Sequence, residues 1–199
     1  MFSGIIENKG IISNIVEEGK NKHFTIESDI SKEVYIDQSI AHNGVCLTVV
    51  SLTNTQYSIT AIHETLLKTN LGALNIGDEI NLERSVLATS RMDGHFVQGH
   101  VDTTAECTDI TEEDGSWRYF FVVAERFASL LVPKGSICIN GVSLTLVDAV
   151  AGSFSVAIIP YTYTHTNFRL LNIGDSVNIE FDILGKYIVK YLDQMYQKS

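Results

Sequence analysis

The sequence predicts an all-β protein built from two similar six-stranded antiparallel barrels, followed by a C-terminal α-helix. The first observation is an internal repeat, since Asn43-Gly-Val-Cys-Leu-Thr-Val49 returns 97 residues later as Asn140-Gly-Val-Ser-Leu-Thr-Leu146. The second is a series of short β-rich runs separated by turn residues, a pattern typical of small barrels. The third is a change to helical periodicity after residue 182.

The repeat extends well beyond this motif. From Ser39 to Glu83 the first copy matches the second, Ser136 to Glu180, at 20 of 45 positions. Unrelated segments would agree at about one position in sixteen. The duplication and the length of 199 residues predict two compact units and a tail. We assign the N-terminal barrel to residues 1–88, the C-terminal barrel to 95–182 and a helix to 183–199.

Composition and charge restrict the classes of partner. The net charge is −10 and no cluster of Lys or Arg occurs, which argues against nucleic acid and membrane surfaces as partners. Three scattered cysteines form neither a disulfide framework nor a zinc-ligand pattern. The N-terminus lacks the features of a signal peptide, and no apolar run is long enough for a membrane span. These features predict a cytoplasmic protein without a structural metal.

The first unit contains six predicted strands. They are residues 2–16, His23–Glu27, Tyr35–Asp37, Ala41–Ser51, Gln56–Ile62 and Glu79–Arg84. Val45, Val49 and Val50 favour the fourth, which starts from the tight-turn dipeptide Asn43-Gly44. A short helical turn is predicted at Glu64–Thr69, before the last strand.

The second unit follows a linker, Ser85–Gly94, in which hydrophobic periodicity lapses. Val97–Val101 corresponds to Phe2–Ile6 at an offset of 95 residues. Further β-rich runs are predicted at Trp117–Ala124, Gly141–Val150, Ser153–Ile159 and Ser176–Phe181.

The tail has an apolar helical stripe. Its members are Leu184, Ile188, Leu192 and Met195, with Tyr187 and Tyr191 beside them. A helix of about two heptads is unstable alone, so it packs either on its own barrel or on copies of itself. Periodicity alone leaves both alternatives open.

Positions where the copies differ are candidates for chemistry, because a symmetric scaffold becomes asymmetric there. Cys46 stands opposite Ser143, and His100 stands opposite Ile5. A thiol is a nucleophile or proton-transfer group, although a lone cysteine in a strand is also compatible with simple packing. Histidine passes protons near neutral pH, although a hydrogen-bonded histidine at the barrel rim is the alternative for His100. Lys134, opposite Asp37, offers a positive charge to an anionic intermediate.

Hydroxyl side chains recur symmetrically near the repeated motifs and suit recognition of a heteroaromatic ring or a polyol. They are Ser39, Ser136, Thr48, Thr145, Thr65 and Thr162.

Four stretches closely resemble riboflavin synthases of the alpha-chain type. They are Met1–Glu7, Asn43–Val49, Gly94–Asp102 and Lys134–Thr145, and the similarity runs to about residue 190. This resemblance implies Greek-key barrels and a transferase reaction in which two 6,7-dimethyl-8-ribityllumazine molecules give riboflavin and 5-amino-6-ribitylaminouracil. It implies no metal and no organic cofactor. It also implies a homotrimer with each active site between barrels of two chains, and an association with lumazine synthase.

The resemblance also assigns site residues. The implied catalytic residues are Ser39, Cys46, His100 and Lys134. The implied substrate-binding residues are Phe2, Gly4, Ile5, Ile6, Cys46, Leu47, Thr48, Thr60, Ala61, Ile62, His63, Glu64, Thr65, Gly99, His100, Val101, Lys134, Ser143, Leu144, Thr145, Ala157, Ile158, Ile159, Pro160, Tyr161, Thr162 and Asp182.

This sequence departs from the family pattern at Gln98, Asn140, Tyr161 and Tyr163, where Ser, Asp, Glu and Leu are usual. The alternative function is a non-catalytic antenna protein of the same fold that binds one lumazine or flavin. The presence of all four implied catalytic residues favours the enzyme.

Overall fold

A computed structural model describes residues 1–196, which form two closed barrels and a terminal helix. The first barrel contains β1 (Asn8–Glu18), β2 (Asn21–Glu27), β3 (Ser39–His42), β4 (Val45–Leu52), β5 (Gln56–Ala61), α1 (His63–Lys68) and β6 (Glu79–Arg84). The second contains β7 (Thr103–Glu113), β8 (Ser116–Val122), β9 (Ser136–Ile139), β10 (Val142–Val150), β11 (Ser153–Ile158), α2 (Pro160–His165) and β12 (Ser176–Phe181). The final helix is α3 (Ile183–Tyr196).

Both barrels have the same antiparallel strand order. The first closes as β1-β2-β5-β4-β3-β6, and the second closes with the equivalent strands in the equivalent order. Since β3, β4 and β5 are successive hairpins and β2 lies beside β5, the connection is a Greek key. The predicted fold class is therefore confirmed. No helix in residues 1–196 is long and apolar enough to cross a membrane. The last three residues of the predicted helix, 197–199, lie outside the described part of the chain.

Two predicted strands were wrong in the first barrel. Tyr35–Asp37 is not a strand, because Asp37 has a positive φ of 73° that breaks the extended backbone. Ala41–Ser51 is two strands joined by a turn, with positive φ at both Asn43 and Gly44 as in a type I′ hairpin. The same hairpin divides β9 from β10.

The beginnings of both units were also assigned wrongly as strands. Residues 1–7 and 96–102, here called head 1 and head 2, lie outside the barrel strands, and β1 and β7 begin only after them. The one bridge in these segments joins Phe2 to Val97. Each head turns from its first strand towards the other barrel, so it does not continue that strand, although the N–H groups of Glu7 and Asp102 still donate to Leu82 and Ile179 of their own barrels.

The two barrels meet where their hairpin turns approach each other. A Cβ atom on Gly44 would lie 2.7 Å from the backbone N of Gly141, and the reciprocal contact would be 2.8 Å. Only glycine permits this approach, since φ is also positive at both positions. The repeated Asn-Gly motif therefore serves two purposes, the hairpin within each barrel and the contact between barrels.

Six asparagines surround this contact in a nearly symmetric network. They are Asn43, Asn70, Asn81, Asn140, Asn167 and Asn178. The side chain of Asn81 donates to the carbonyl of Asn140 at 2.9 Å, and that of Asn178 donates to the carbonyl of Asn43 at 2.8 Å. Asn140, where the family usually has Asp, accepts from the Asn70 side chain and from the Asn178 backbone. Both of these bonds use only the Oδ1 acceptor, which the usual Asp would also supply.

The core of the first barrel contains one polar pair that the second lacks. His42 and Tyr57 are buried, and Nε2 of His42 lies 2.9 Å from the Tyr57 hydroxyl. Repeat symmetry gives Ile139 and Phe154 at the equivalent positions, both buried. The two positions differ together, because a single apolar replacement would leave the other polar group unpaired.

This pair predicts an acid-sensitive first barrel. Burial lowers the pKa of His42 from 6.5 to about 4. The unfolded chain therefore binds a proton near pH 6.5 and the folded chain does not, so stability is complete above that pH and declines as pH falls towards 4. Between pH 7.5 and pH 5.0 the loss should be about 2 kcal/mol.

The matched test exchanges the pair for the residues of the second barrel. The double variant His42→Ile, Tyr57→Phe should lose about 2 kcal/mol less than the wild type over that pH range, as measured by urea unfolding. Other titrating groups are common to both proteins and cancel. Identical pH dependence in the two proteins would contradict the assignment to His42.

Candidate functional site

The two heads lie against each other on the approximate two-fold axis. The N–H of Phe2 donates to the carbonyl of Val97 at 2.7 Å, and the N–H of Val97 donates back at 3.1 Å. Phe2 and Val97 are equivalent residues of the two copies. Both are fully buried, in a small cluster with Ala41 and Cys138.

Each head then contacts the barrel of the other copy. The N–H of Cys46 donates to the carbonyl of Gly99 at 2.9 Å, and the N–H of Ser143 donates to the carbonyl of Gly4 at 2.7 Å. A Cβ atom on Gly99 would lie 2.5 Å from the Cβ of Cys46, so only glycine allows the contact. Gly4 has the same relation to Ser143, at 2.6 Å.

Hydrophobic packing follows the same crossed pattern. Val101 of head 2 packs against the core of the first barrel. Ile6 of head 1 packs against the core of the second barrel. Each head therefore packs on the barrel of the other copy, and this arrangement is here called the exchange of the heads.

This exchange divides the predicted ligand-contact residues into two candidate half-sites. Half-site 1 consists of residues 46–48 on β4, residues 60–65 around α1, and residues 99–101 of head 2. Half-site 2 consists of residues 143–145 on β10, residues 157–162 around α2, and residues 4–6 of head 1. Each half-site is thus built from one barrel and the other barrel's head.

The crossing brings together the two residues that differ most between the copies. Cys46 on β4 and His100 of head 2 both belong to half-site 1, linked by the hydrogen bond from Cys46 to Gly99. The corresponding residues of half-site 2 are Ser143 and Ile5. The two half-sites therefore carry different side chains at equivalent positions, a thiol and an imidazole in half-site 1 against a hydroxyl and an aliphatic group in half-site 2.

Half-site 2 has its own polar pair. Nδ1 of His95 and Oγ of Ser143 form a hydrogen bond of 2.6 Å. Burial lowers the pKa of His95, and the charge of Asp182 partly offsets that effect. From the sequence, His95 is predicted to be a hydrogen-bonded histidine of the barrel rim, and that prediction does not identify Ser143 as its partner. The only available signal is its position just before head 2.

The remaining predicted catalytic residues are divided between the barrels. Ser39 lies on β3 opposite Thr48 of half-site 1. Lys134 precedes β9 of the second barrel, where its N–H donates to the carbonyl of Leu146. Lys134 has a φ of 67° and Asp37 one of 73°, so both copies form the same turn there. Within one chain, therefore, Lys134 does not belong to the half-site of Cys46 and His100.

The two unusual tyrosines of α2 have different surroundings. Tyr163 stacks on Trp117 with ring centroids 3.7 Å apart, and Tyr163 packs against the core of the second barrel. Tyr161 is exposed and stacks on His165 one helical turn later. Tyr163 thus has a packing role, whereas Tyr161 remains at the outer surface of half-site 2.

Both half-sites are open to solvent in the single chain. Thr48, Ile62 and His100 are exposed in half-site 1, and Thr145 and Ile159 are exposed in half-site 2. Ile62 and Ile159 are equivalent residues of the two copies and directly precede α1 and α2.

Comparison with known proteins agrees with this architecture. The family model for the lumazine binding domain matches the chain twice, at residues 3–85 and 98–182. A riboflavin synthase of Actinobacillus pleuropneumoniae is 42% identical over 193 residues, covering 96% of this chain and 90% of that protein. This chain belongs to the riboflavin synthase family. The family also includes a riboflavin synthase of Bacillus subtilis (strain 168), 41% identical over 193 residues, again covering 96% of this chain and 90% of that protein.

Solved structures show the same fold at lower identity. LumP complexed with riboflavin has a TM-score of 0.85 and 24% identity, covering 91% of this chain and 99% of that chain. LumP complexed with 6,7-dimethyl-8-(1'-D-ribityl) lumazine has a TM-score of 0.83 and 23% identity, with the same coverage. LumP therefore has the same fold as this chain, although its sequence identity to this chain is much lower than that of the two synthases.

Proposed function

We propose that this protein is a riboflavin synthase that transfers a four-carbon unit between two molecules of 6,7-dimethyl-8-ribityllumazine. The products are riboflavin and 5-amino-6-ribitylaminouracil. The observation that carries the proposal is the crossing of the heads, which unites Cys46 and His100 in one of two otherwise similar half-sites. A reaction in which two identical molecules play different roles requires two similar sites with different chemistry, and the different residues at the equivalent positions of the two half-sites support that requirement.

The proposed chemistry needs only proton transfer and proximity. The two products contain the same atoms as the two substrate molecules, so no oxidant or reductant is consumed. The 7-methyl group of one lumazine is acidic because its carbanion delocalises into the ring, and a positioned base suffices to remove its proton. His100, Cys46 and Ser39 are the proposed proton-transfer groups, and stacking of the two rings supplies proximity.

The proposed active site spans two chains. Half-site 1 of one chain faces half-site 2 of a neighbour, which would bring Lys134 of the neighbour to the ring pair. The exposure of both half-sites in the single chain supports this arrangement. We propose a homotrimer joined through α3, whose Leu184, Ile188 and Tyr191 are exposed. A cytoplasmic location and an association with lumazine synthase complete the proposal and rest on the family resemblance.

A single assay tests the function. The purified full-length protein, incubated with 6,7-dimethyl-8-ribityllumazine, should form riboflavin, detected by its absorbance and by chromatography. The second product should form in equal amount, and neither a chelator nor omission of nucleotides should reduce the rate. Fluorescence from bound ligand without turnover would reject the synthase and favour the antenna function.

A further inference from the structure

Two buried carboxylates hold the heads in place. The side chain of Glu83 reaches head 1. Its Oε1 accepts from the N–H of Ser3 at 2.6 Å and from the Ser3 hydroxyl at 2.7 Å. Oε2 of Glu83 accepts from the N–H of Gly4 at 2.9 Å. Glu83 is 3% exposed, so these bonds are shielded from water.

Glu180 is the equivalent residue of the second copy and is 2% exposed. Its Oε1 accepts from the N–H of Gln98 at 2.6 Å, and its Oε2 accepts from the N–H of His100 at 2.8 Å. In the first copy the N–H of Ile5, equivalent to His100, donates instead to the Ser3 hydroxyl. Because Gln98 replaces that serine, His100 is bonded directly to the carboxylate.

The two carboxylates act across the barrels. Glu180 lies on β12 of the second barrel, yet head 2 contributes to half-site 1 on the first barrel. The same short segment connects the Glu180 carboxylate, the backbone of His100 and the Gly99 carbonyl that accepts from Cys46. Glu83 on β6 is connected in the same way to half-site 2, through Gly4 and Ser143.

A carboxylate is suited to this task and an amide is not. Both oxygens of a carboxylate accept hydrogen bonds, and charge-assisted bonds are roughly twice as strong as neutral ones. A glutamine would present one oxygen and one NH₂ group, and the NH₂ would face a backbone N–H. One buried donor would then remain unsatisfied, which loosens the segment.

We propose that Glu180 is a positioning residue of half-site 1, which fixes His100 and Gly99 beside Cys46 from the opposite barrel. Glu83 has the same relation to half-site 2, where it fixes Gly4 and Ile5 beside Ser143. The placement stands on geometry alone, and its effect on turnover rests on the proposed function.

Amide hydrogen exchange, measured by mass spectrometry on the full chain, tests the crossed assignment. In Glu180→Gln, exchange should accelerate about tenfold or more in residues 96–102 and at the Cys46 amide. In the matched variant Glu83→Gln, the acceleration should instead occur in residues 1–7 and at the Ser143 amide. The kcat of Glu180→Gln should fall about tenfold or more, because His100 is no longer held, and Glu180→Asp, which keeps both oxygens, should recover part of it.

The outcomes separate the placement from the function. Acceleration confined to each glutamate's own barrel, or unchanged exchange at Cys46 in Glu180→Gln, would overturn the proposal. If amide exchange in head 2 of Glu180→Gln is accelerated but kcat stays at the wild-type value, the positioning role is overturned. If Glu180→Gln does not fold, Glu180→Asp decides, since its shorter side chain should accelerate exchange in head 2 and at the Cys46 amide, and unchanged exchange there would overturn the proposal. If the two glutamine variants show the crossed pattern of exchange but the wild-type protein makes no riboflavin, only the proposed reaction is rejected.

Discussion

A chain that ends at Asp182 should lose nearly all synthase activity while both barrels remain folded. In the described residues no side chain of α3 is buried, so its removal exposes little of either core. The first turn of α3 contacts its own barrel, where Lys186 pairs with Asp102 at 2.6 Å and Gly185 lies near Leu130. The exposed apolar stripe beyond that turn needs another surface, and a seam between copies would bury it.

Sedimentation and circular dichroism measure this prediction. The truncated chain should sediment as a monomer, keep its β-type spectrum, and show residual activity that rises steeply with protein concentration by mass action. A chain ending at Tyr196 should behave like the full-length protein. Ile188→Asp should reproduce the truncation, whereas Lys190→Ala, at an exposed polar position of the same helix, should not. A monomer with full turnover at every concentration would show that one chain contains the complete site.

Replacement of Cys46 by serine should lower kcat about 10²-fold or more, the range expected of a proton-transfer group. A serine hydroxyl holds its proton much more tightly than a thiol does, although the two side chains are similar in size. The change makes half-site 1 more like half-site 2, where serine is the natural residue at position 143. The Gly99 contact uses the backbone N–H of Cys46, so it should survive the substitution.

Steady-state kinetics and thermal unfolding together distinguish chemistry from packing. Cys46 also packs against the cluster formed by Phe2, Ala41, Val97 and Cys138. If Cys46 has a packing role, the substitution should lower the melting temperature and leave kcat nearly unchanged. If it has a chemical role, the substitution should lower kcat and leave the melting temperature nearly unchanged. Ser143→Ala, which removes the bond to His95, should reduce kcat less than Cys46→Ser does. Equal and small effects at both positions would mean that the thiol contributes only packing.

Local sequence patterns predict much of the fold correctly. The repeated Asn-Gly dipeptide favours positive φ at both positions, so it indicates a tight turn in each copy, and both turns are present. The copies share 20 of 45 residues over the compared range, and similar sequences in similar contexts fold alike. The three- and four-residue spacing after residue 182 likewise indicates α3.

Errors arise where the conformation depends on distant residues. Phe2–Ile6 and Val97–Val101 alternate like strands, but a local pattern contains no information about which barrel the segment will contact. Nothing in the sequence marks Glu83 and Glu180 as functional residues, because an acidic side chain near the end of a strand is normally exposed. Their roles emerge only because the fold places buried N–H groups against them.

The duplication, the barrel class, the terminal helix and the identity of the residues that differ between the copies all follow from sequence alone. Which half-site receives each of those residues does not. That depends on the exchange of the heads, which the Phe2–Val97 bridge, the Gly4–Ser143 and Gly99–Cys46 contacts and the two buried glutamates together impose. Each of these interactions joins residues about 50 to 140 positions apart, and only a folded chain brings such residues into contact.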